Sequence, residues 1–253
     1  MSDKSFGNSL RQLKQAQKSN TGAPLYSVLV NRPMGRVFAA LAHQLNMDPN
    51  QVTAVSALFT FTGVGLLFFC APTWPVAIAV GLCLVVGYGL DAADGQLARL
   101  RGGGSLLGEW LDHTIDSFKI ATLHLAVLVM AFRHYHSHEW LLVPLAFGAV
   151  YTIHFFGMLL TDLLTRVHHA GRGEKLPPKG KGSTVMSLAK VPTDFGLLAL
   201  SFFLIAWPLG FKVLYTFMFV CTTLYTVMVL VRWGQRINAL DARARADRQA
   251  GLR

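Results

Sequence analysis

Acidic residues are concentrated in one short stretch of this chain. Five of its thirteen Asp and Glu residues fall within 26 positions, in LDAADGQLARLRGGGSLLGEWLDHTIDSFK. They are Asp91, Asp94, Glu109, Asp112 and Asp116, and membrane-grade apolar sequence borders them on both sides. A carboxylate at or near hydrocarbon depth is costly unless a partner compensates it, so such residues indicate a functional site.

The spacing of four of these carboxylates places them in two pairs. Asp91 and Asp94 are three residues apart, and Asp112 and Asp116 are four apart, so on helices each pair lies on one face. Two acidic helix faces that meet require cations, and hard oxygen ligands suit Mg²⁺, Mn²⁺ or Ca²⁺. The pattern predicts a divalent-metal site, and four carboxylates carry enough charge for two ions.

The composition identifies the class of protein that holds this site. The chain is 53% hydrophobic and 14% charged, with a mean hydropathy of +0.42, which indicates an integral membrane protein and excludes a soluble globule. The three cysteines lie in apolar runs without metal-type spacing, so we interpret them as small buried hydrophobes. No aromatic-interleaved basic module occurs, so nucleic acid is not a predicted partner.

The apolar pattern predicts an all-α integral membrane protein. Six stretches approach spanning length, at about 52–71, 74–94, 107–132, 140–162, 193–210 and 213–233. Before them, apolar residues at helical spacing from Pro33 predict an amphipathic helix on the membrane surface, with an ordinary packed helix as the alternative. We divide the chain into a polar arm (1–32), a six-helix domain with its interfacial helix (33–233) and a basic tail (234–253).

Positive charge is distributed unevenly between the two sides of this topology. Twenty of the 23 Lys and Arg residues lie in the two termini and in the connections after the second and fourth spans. By the positive-inside rule this side is cytoplasmic. The acidic stretch then lies at the inner leaflet of a multi-pass plasma-membrane protein, with both termini and the site in the cytoplasm. It is accessible to water-soluble substrates and, from the side, to lipid.

The acidic stretch also carries a longer pattern of fixed identities and gaps. It reads Asp91-x2-Asp94-Gly95-x2-Ala98-Arg99-x8-Gly108-x3-Asp112-x3-Asp116. This resembles the signature of the CDP-alcohol phosphotransferase family, with every fixed position present. The start of the first span, PNQVT at 49–53, is also similar to that family. The long N-terminal arm and cationic tail depart from its smallest members.

The resemblance implies six transmembrane helices behind a cytoplasmic amphipathic helix, and a reaction. A CDP-linked alcohol donates its substituted phosphate to an acceptor hydroxyl, and CMP leaves, as in phospholipid synthesis. Asp91, Asp94 and Asp112 would hold Mg²⁺ or Mn²⁺ on the diphosphate, and Asp116 would complete the metal site and act as the general base. The resemblance also implies a homodimer.

The remaining positions of the pattern have expected roles in binding the nucleotide and its phosphates. Gly95 and Ala98 would let the nucleotide approach the helix closely, and Arg99 would pair with a phosphate. Gly108 would permit either close packing of the third helix or contact with the nucleotide. The chemistry agrees, since phosphoryl-type transfer requires charge neutralisation and positioning, and an arginine fork matches a phosphate better than lysine.

Two questions about function stay open at this level. The donor is either CDP-diacylglycerol or a soluble CDP-polyol or CDP-amino alcohol, because the pattern addresses only the CDP-phosphate portion. The alternative to an enzyme is a carboxylate-lined cation transporter. A transporter would need a polar path across the bilayer, whereas residues 60–69 and 121–131 are nearly all apolar.

Charged residues close to the pattern each allow more than one role. Glu109 either joins the metal shell or faces the cytoplasmic entrance, and the second is favoured. Lys119 either neutralises the carboxylates or extends to the interface, and the sequence does not decide between them. For His113 a packing role is favoured.

The connection after the fourth span offers a second set of basic residues. Arg166, His168, His169 and Arg172, with the loop at 163–191, form a candidate phosphate pocket for the second substrate, although a topology anchor is the simpler interpretation. Asp162 and Asp194 are expected to pair with these bases.

Overall fold

The computed structural model describes residues 6–15, 24–176 and 193–249, and within these ranges it contains helices and no strand. The elements are α1 (Phe6–Gln15), a π-helical turn (Ser27–Asn31) that continues into α2 (Arg32–Gln44), α3 (Pro49–Phe69), α4 (Trp74–Leu100), α5 (Leu106–His134), a 3₁₀ turn (His138–Leu141) before α6 (Leu142–Ala170), α7 (Phe195–Ser201) with a 3₁₀ turn (Phe202–Leu204), and α8 (Pro208–Gln249).

The helix lengths confirm the all-α membrane class. The helices α3, α4, α5, α6 and α8 are each long and apolar enough to cross a bilayer, so the described residues provide five such helices. The fifth of the six expected spans, at 193–210, is instead a short apolar helix, Phe195–Leu204, followed by a turn before Pro208. Ten residues rise about 15 Å, half of the hydrocarbon thickness, so the described residues do not bear out the count of six.

Local capping fixes where the site-bearing helices begin. Pro49 is the first residue of α3, and the Asp48 backbone N–H donates to Gln51 Oε1 over 2.8 Å. At the start of α5 the Ser105 hydroxyl accepts from the Gly108 N–H over 3.0 Å. The link between α4 and α5 turns through Gly102 and Gly103, whose φ angles of 99° and 137° favour glycine. This short link brings the chain directly from α4 into α5, and both helices pack against α3.

The predicted amphipathic helix exists as α2, and it packs against α4. A Cβ on Gly35 would lie 2.8 Å from Gln96 Nε2 and 3.0 Å from Ala92 Cβ, so glycine permits this close approach. Val37, Leu41 and Leu45 remain exposed. Exposed apolar side chains on a packed helix are compatible with a position at the membrane surface, which stays a prediction.

Two buried clusters hold the bundle together. The larger lies among α3 to α8 and contains the fully buried Leu84, Phe147, Phe202 and Tyr215. The smaller joins α1 and α2 to α3 and α4 through Leu13, Ala39, Ala40, Ala42, Val52, Ala93 and Leu97. The smaller cluster lies beside the acidic end of α4, so it anchors the helix that carries Asp91 and Asp94.

The contact between α3 and α4 depends on Gly87. The Ser56 hydroxyl donates to the Gly87 carbonyl over 2.8 Å, and a Cβ on Gly87 would lie 2.4 Å from Thr60 Oγ1 and 3.2 Å from the Thr60 backbone nitrogen. Small residues allow membrane helices to approach closely in this way. Gly87 therefore sets the distance between the two helices.

We expect Gly87→Leu to lower the melting temperature of the purified protein by several degrees, because the leucine forces α3 away from α4. The matched control is Gly65→Leu in α3, where an added Cβ meets nothing within 4 Å. Thermal unfolding in detergent measures both variants. Equal melting temperatures for the two leucine variants would contradict this account of the packing.

Candidate active site

Asp94 on α4 is the least exposed carboxylate of the acidic stretch. Its residue is only 7% exposed, and its Oδ2 accepts a hydrogen bond from Thr53 Oγ1 of α3 over 2.6 Å. Thr53 belongs to the PNQVT segment that begins the first span. The hydrogen bond fixes one oxygen of Asp94 and orients the carboxylate for a ligand on its other side.

Asp91 of α4 and Asp116 of α5 share one cation. Lys119 Nζ lies 3.8 Å from Asp91 Oδ1 and also forms an ion pair with Asp116 Oδ1. Because one ammonium group reaches both carboxylates, side chains from two helices converge at one place. The i,i+3 and i,i+4 spacings predicted one metal site for all four aspartates, and that common site stays a prediction.

Asp112 completes the group on the more exposed side. Asp112, His113 and Asp116 each offer one ligand atom, and these atoms lie within 4.8 Å of one another. Asp91 lies within electrostatic range of Asp94, Asp112 and Asp116. Carboxylate oxygens such as those of Asp112 and Asp116 are the hard ligands that Mg²⁺ and Mn²⁺ prefer, so the residues of this compact group fit the expected metal.

His113 is nearer to this group than its favoured packing role implied. Its ring lies edge-on to Phe155 with centroids 6.3 Å apart, which is a packing contact. Its Nδ1, however, is 4.0 Å from Asp112 Oδ2 and has no hydrogen-bond partner. The sequence places His113 next to Asp112, but adjacent residues on a helix do not in general face the same way, so the sequence alone did not predict this proximity.

The glycines of the pattern have different surroundings. A Cβ on Gly95 would meet only Arg99 Nη1, at 3.4 Å, so open space lies beside Asp94. A Cβ on Gly108 would lie 3.1 Å from Asn50 Oδ1 and 3.2 Å from Ser105 Oγ. Gly108 thus accompanies close packing of α5 against the start of α3, whereas the space at Gly95 is free for a ligand.

Ala98 and Arg99 lie on the last turns of α4 and are both half-buried. The Arg99 guanidinium lies within electrostatic range of the Arg32 guanidinium and the Asp94 carboxylate. Two guanidinium groups near the carboxylate site, one from α2 and one from α4, provide positive charge where a phosphate would approach.

Glu109 pairs with a base of α6, while its Oε1 lies 3.9 Å from His113 Nε2. Its Oε1 accepts from Arg166 Nη1 of α6 over 2.5 Å, and Arg166 Nη2 also pairs with Asp162 over 2.6 Å. The carboxylate is exposed, in agreement with the favoured position at the entrance. The ion pair ties α5 to α6.

The basic end of α6 is occupied by ion pairs rather than being open to a phosphate. Arg172 pairs with Asp247 of α8 and lies 3.5 Å from Glu174. Glu174 in turn pairs with His169 over 3.1 Å and with Arg243 of α8 over 2.8 Å. These contacts favour a structural role, in which carboxylates far apart in the sequence neutralise the bases and join α6 to α8.

The expected pairing of Asp162 with a nearby base is found with Arg166, but that of Asp194 was wrong. Asp194 is buried, and its Oδ1 accepts from the Gly196 N–H over 2.8 Å while its Oδ2 accepts from the Ser27 N–H over 3.1 Å. Asp194 therefore caps the N-terminus of α7. The first backbone N–H groups of a helix have no partner within the helix, so they bind this carboxylate in place of a side-chain cation. Residues 177–192, which carry most of the predicted basic connection at 163–191, lie outside the described residues.

Comparison with models of protein families gives a match over most of the chain. The profile of the family described as CDP-alcohol phosphatidyltransferase matches residues 46–238. Archaetidylinositol phosphate synthase of Pyrococcus horikoshii is 36% identical over 94 residues, which are 37% of this chain and 47% of that protein. Phosphatidylinositol phosphate synthase of Corynebacterium glutamicum is 39% identical over 82 residues, which are 31% of this chain and 34% of that protein. The chain thus spans less than half the length of these two curated relatives.

Two solved structures are similar over a larger part of the chain at lower identity. Both are phosphatidylinositol phosphate synthase of Mycobacterium tuberculosis. The structure with CDP-DAG bound has a TM-score of 0.48 and 18% identity, covering 79% of this chain and 90% of that chain. The structure in complex with manganese and citrate has a TM-score of 0.47 and 19% identity, covering 81% and 88%.

Proposed function

Since this chain belongs to the CDP-alcohol phosphatidyltransferase family, we propose that it moves a substituted phosphate from a CDP-linked alcohol to an acceptor hydroxyl in lipid biosynthesis. One observation of the structure supports this most strongly. Carboxylates from α4 and α5 converge on a common cation, with Asp91 and Asp116 on either side of Lys119. The family's reaction needs such a group at the membrane surface, because it concentrates divalent cations where a diphosphate must bind.

We assign the metal-holding role to Asp91, Asp94, Asp112 and Asp116. A bound Mg²⁺ or Mn²⁺ would neutralise the charge that develops on the transferring phosphate and on departing CMP. Asp94 is oriented for this by Thr53, and Asp112 is the more exposed member, on the side from which a soluble nucleotide arrives. Two ions are the expected complement of four carboxylates.

The chemical step needs a proton acceptor, and we assign it to Asp116. The acceptor oxygen forms a bond to phosphorus, the bond from phosphorus to the CMP oxygen breaks, and the acceptor proton passes to Asp116. Lys119 binds Asp116 Oδ1, so Oδ2 is the oxygen that takes the proton. Such a base must reach the acceptor oxygen directly, at about 3 Å.

The nucleotide would lie against the last turns of α4. The open space beside Gly95 admits it, half-buried Ala98 adds only a methyl group to that face, and Arg99 binds a phosphate. Gly108 contributes by letting α5 pack closely against α3.

The curated relatives guide the choice of substrates. Both are named as synthases of inositol phosphate lipids, and they share 36% and 39% identity with part of this chain. We therefore propose a CDP-linked lipid, such as CDP-diacylglycerol, as the donor and a phosphorylated inositol as the first acceptor to test. A soluble CDP-polyol or CDP-amino alcohol is the alternative donor.

The placement in the cell and the assembly are also proposals. Charge asymmetry supports a plasma-membrane protein with its termini and site in the cytoplasm, and we keep the division at 1–32, 33–233 and 234–253. The apolar helix α6 is the least buried within the chain of the five long helices, so its exposed side faces either lipid or a second copy of the chain. We propose a homodimer by analogy with the family, which light scattering of the detergent-solubilised protein tests.

We expect the purified protein to release CMP from a CDP-lipid only when an acceptor and Mn²⁺ or Mg²⁺ are present. The assay varies the CDP-alcohol and the acceptor and follows CMP release. EDTA should abolish the activity, because nothing then neutralises the diphosphate. CMP together with Mn²⁺ should also raise the melting temperature, which a cation transporter does not predict. Absence of both effects across the whole panel would refute the proposed function.

A further inference from the structure

Lys119 is a charged residue that the family pattern does not contain. It lies three residues beyond Asp116, on α5, and is 7% exposed. Its ammonium contacts Asp91 and Asp116 and lies 5.0 Å from the centre of the Phe195 ring. A buried ammonium is costly unless it is paired, and here both of its ion-pair partners belong to the carboxylate group.

The position of this cation affects the charge of the whole group. Four carboxylates without Lys119 would form an uncompensated anionic cluster in a low-dielectric setting, where like charges repel strongly. The positive charge of Lys119 offsets one of these negative charges, and its ammonium links Asp91 on α4 to Asp116 on α5. The ammonium contacts Asp91 Oδ1 and Asp116 Oδ1, so a divalent ion bound by these same two oxygens would meet its positive charge.

We propose that Lys119 is a resident counter-ion that holds Asp91 and Asp116 together before metal binds and weakens the binding of divalent ions at that pair. This inference rests on the proposed function, because it assumes that the four carboxylates bind metal. Its consequence is that divalent ions bind less tightly to the site without substrate than four carboxylates alone would allow. The anionic diphosphate of the donor then compensates for the charge of Lys119, so metal and nucleotide strengthen each other's binding.

The test compares Lys119→Met with the parent protein in EDTA and in Mn²⁺. Methionine keeps the length and the contact with Phe195 but removes the charge. We expect a lower melting temperature in EDTA, because the carboxylates repel one another, and a larger rise on addition of Mn²⁺. The Kd for Mn²⁺, measured by calorimetry without nucleotide, should tighten about tenfold, and added CMP should then improve it less than in the parent.

Arg166→Met is the matched control. Arg166 also binds two carboxylates, those of Glu109 and Asp162, but its ion pairs lie outside the four-aspartate group. Its loss should leave the Mn²⁺-induced rise in melting temperature unchanged. Lys119→Arg, which keeps the charge, should bind Mn²⁺ as the parent does. Lys119→Gln keeps a hydrogen-bond donor without the positive charge, and it replaces Lys119→Met in these measurements if the methionine variant does not fold.

The outcomes separate this inference from the function on which it rests. Equal loss of stability in EDTA and in Mn²⁺, with an unchanged Kd, would mean that Lys119 is only a packing cation. The same enlarged Mn²⁺ response in Arg166→Met would also overturn the inference, because the effect would not be local. If the parent protein shows no response to Mn²⁺ at all, the proposed metal site fails, and this inference fails with it.

Discussion

Replacing Asp112 or Asp116 with asparagine is expected to lower the rate of CMP release by about a thousandfold or more. Asparagine keeps the size of the side chain but removes the charge that holds a divalent ion, and at position 116 it also removes the proton acceptor. Both residues are half-buried, so neither change leaves a large cavity. The assay is CMP release with saturating donor and Mn²⁺.

The two variants should stay folded but differ from the parent in their response to metal. In EDTA Asp112→Asn should melt at or above the temperature of the parent, because it relieves repulsion within the group. Asp116→Asn should melt below the parent in EDTA, because it leaves the buried Lys119 with Asp91 as its remaining ion-pair partner. In Mn²⁺ the rise in melting temperature should shrink. Asp162→Asn is the matched control, since this carboxylate binds Arg166 outside the group, and it should keep activity within about threefold of the parent. Near-normal turnover in either site variant would show that its assignment is wrong.

The second large effect is expected at Gly95. Gly95→Leu places a branched side chain in the open space beside Asp94 and against Arg99 Nη1. If the nucleotide occupies this space, the donor can no longer approach the helix, and kcat/KM for the CDP-alcohol should fall at least about a hundredfold. Steady-state kinetics with varied donor concentration measure this change.

The carboxylates themselves are intact in Gly95→Leu, so two thermal measurements isolate the effect. The rise in melting temperature with Mn²⁺ alone should persist, whereas the further rise with CMP should disappear. Gly65→Leu, which also adds a leucine where nothing lies within 4 Å of the new Cβ, should change neither. Normal donor kinetics in Gly95→Leu would place the nucleotide elsewhere.

Features that depend on local periodicity were predictable from the sequence. The apolar runs predicted the all-α membrane class, and the spacing of Asp91, Asp94, Asp112 and Asp116 predicted that two helix faces meet. The long helices α4 and α5 confirm the membrane class, and side chains of both helices contact Lys119, whereas the common metal site stays a prediction. Both predictions use the fixed geometry of the α-helix, in which residues three or four apart share a face, so no tertiary information was needed.

The partners of individual charges were decided by the tertiary structure. Lys119 had two open roles until Asp91, 28 positions earlier, was found beside it. Glu109 and Arg166 are 57 residues apart in the sequence, and Asp194 caps a helix while binding the distant Ser27. Hydropathy likewise suggested a full span at 193–210, whereas a cap at Asp194 and a new helix at Pro208 leave only a short helix. An ion pair or a cap depends on which chain segments pack together, and a hydropathy or spacing pattern does not contain that information.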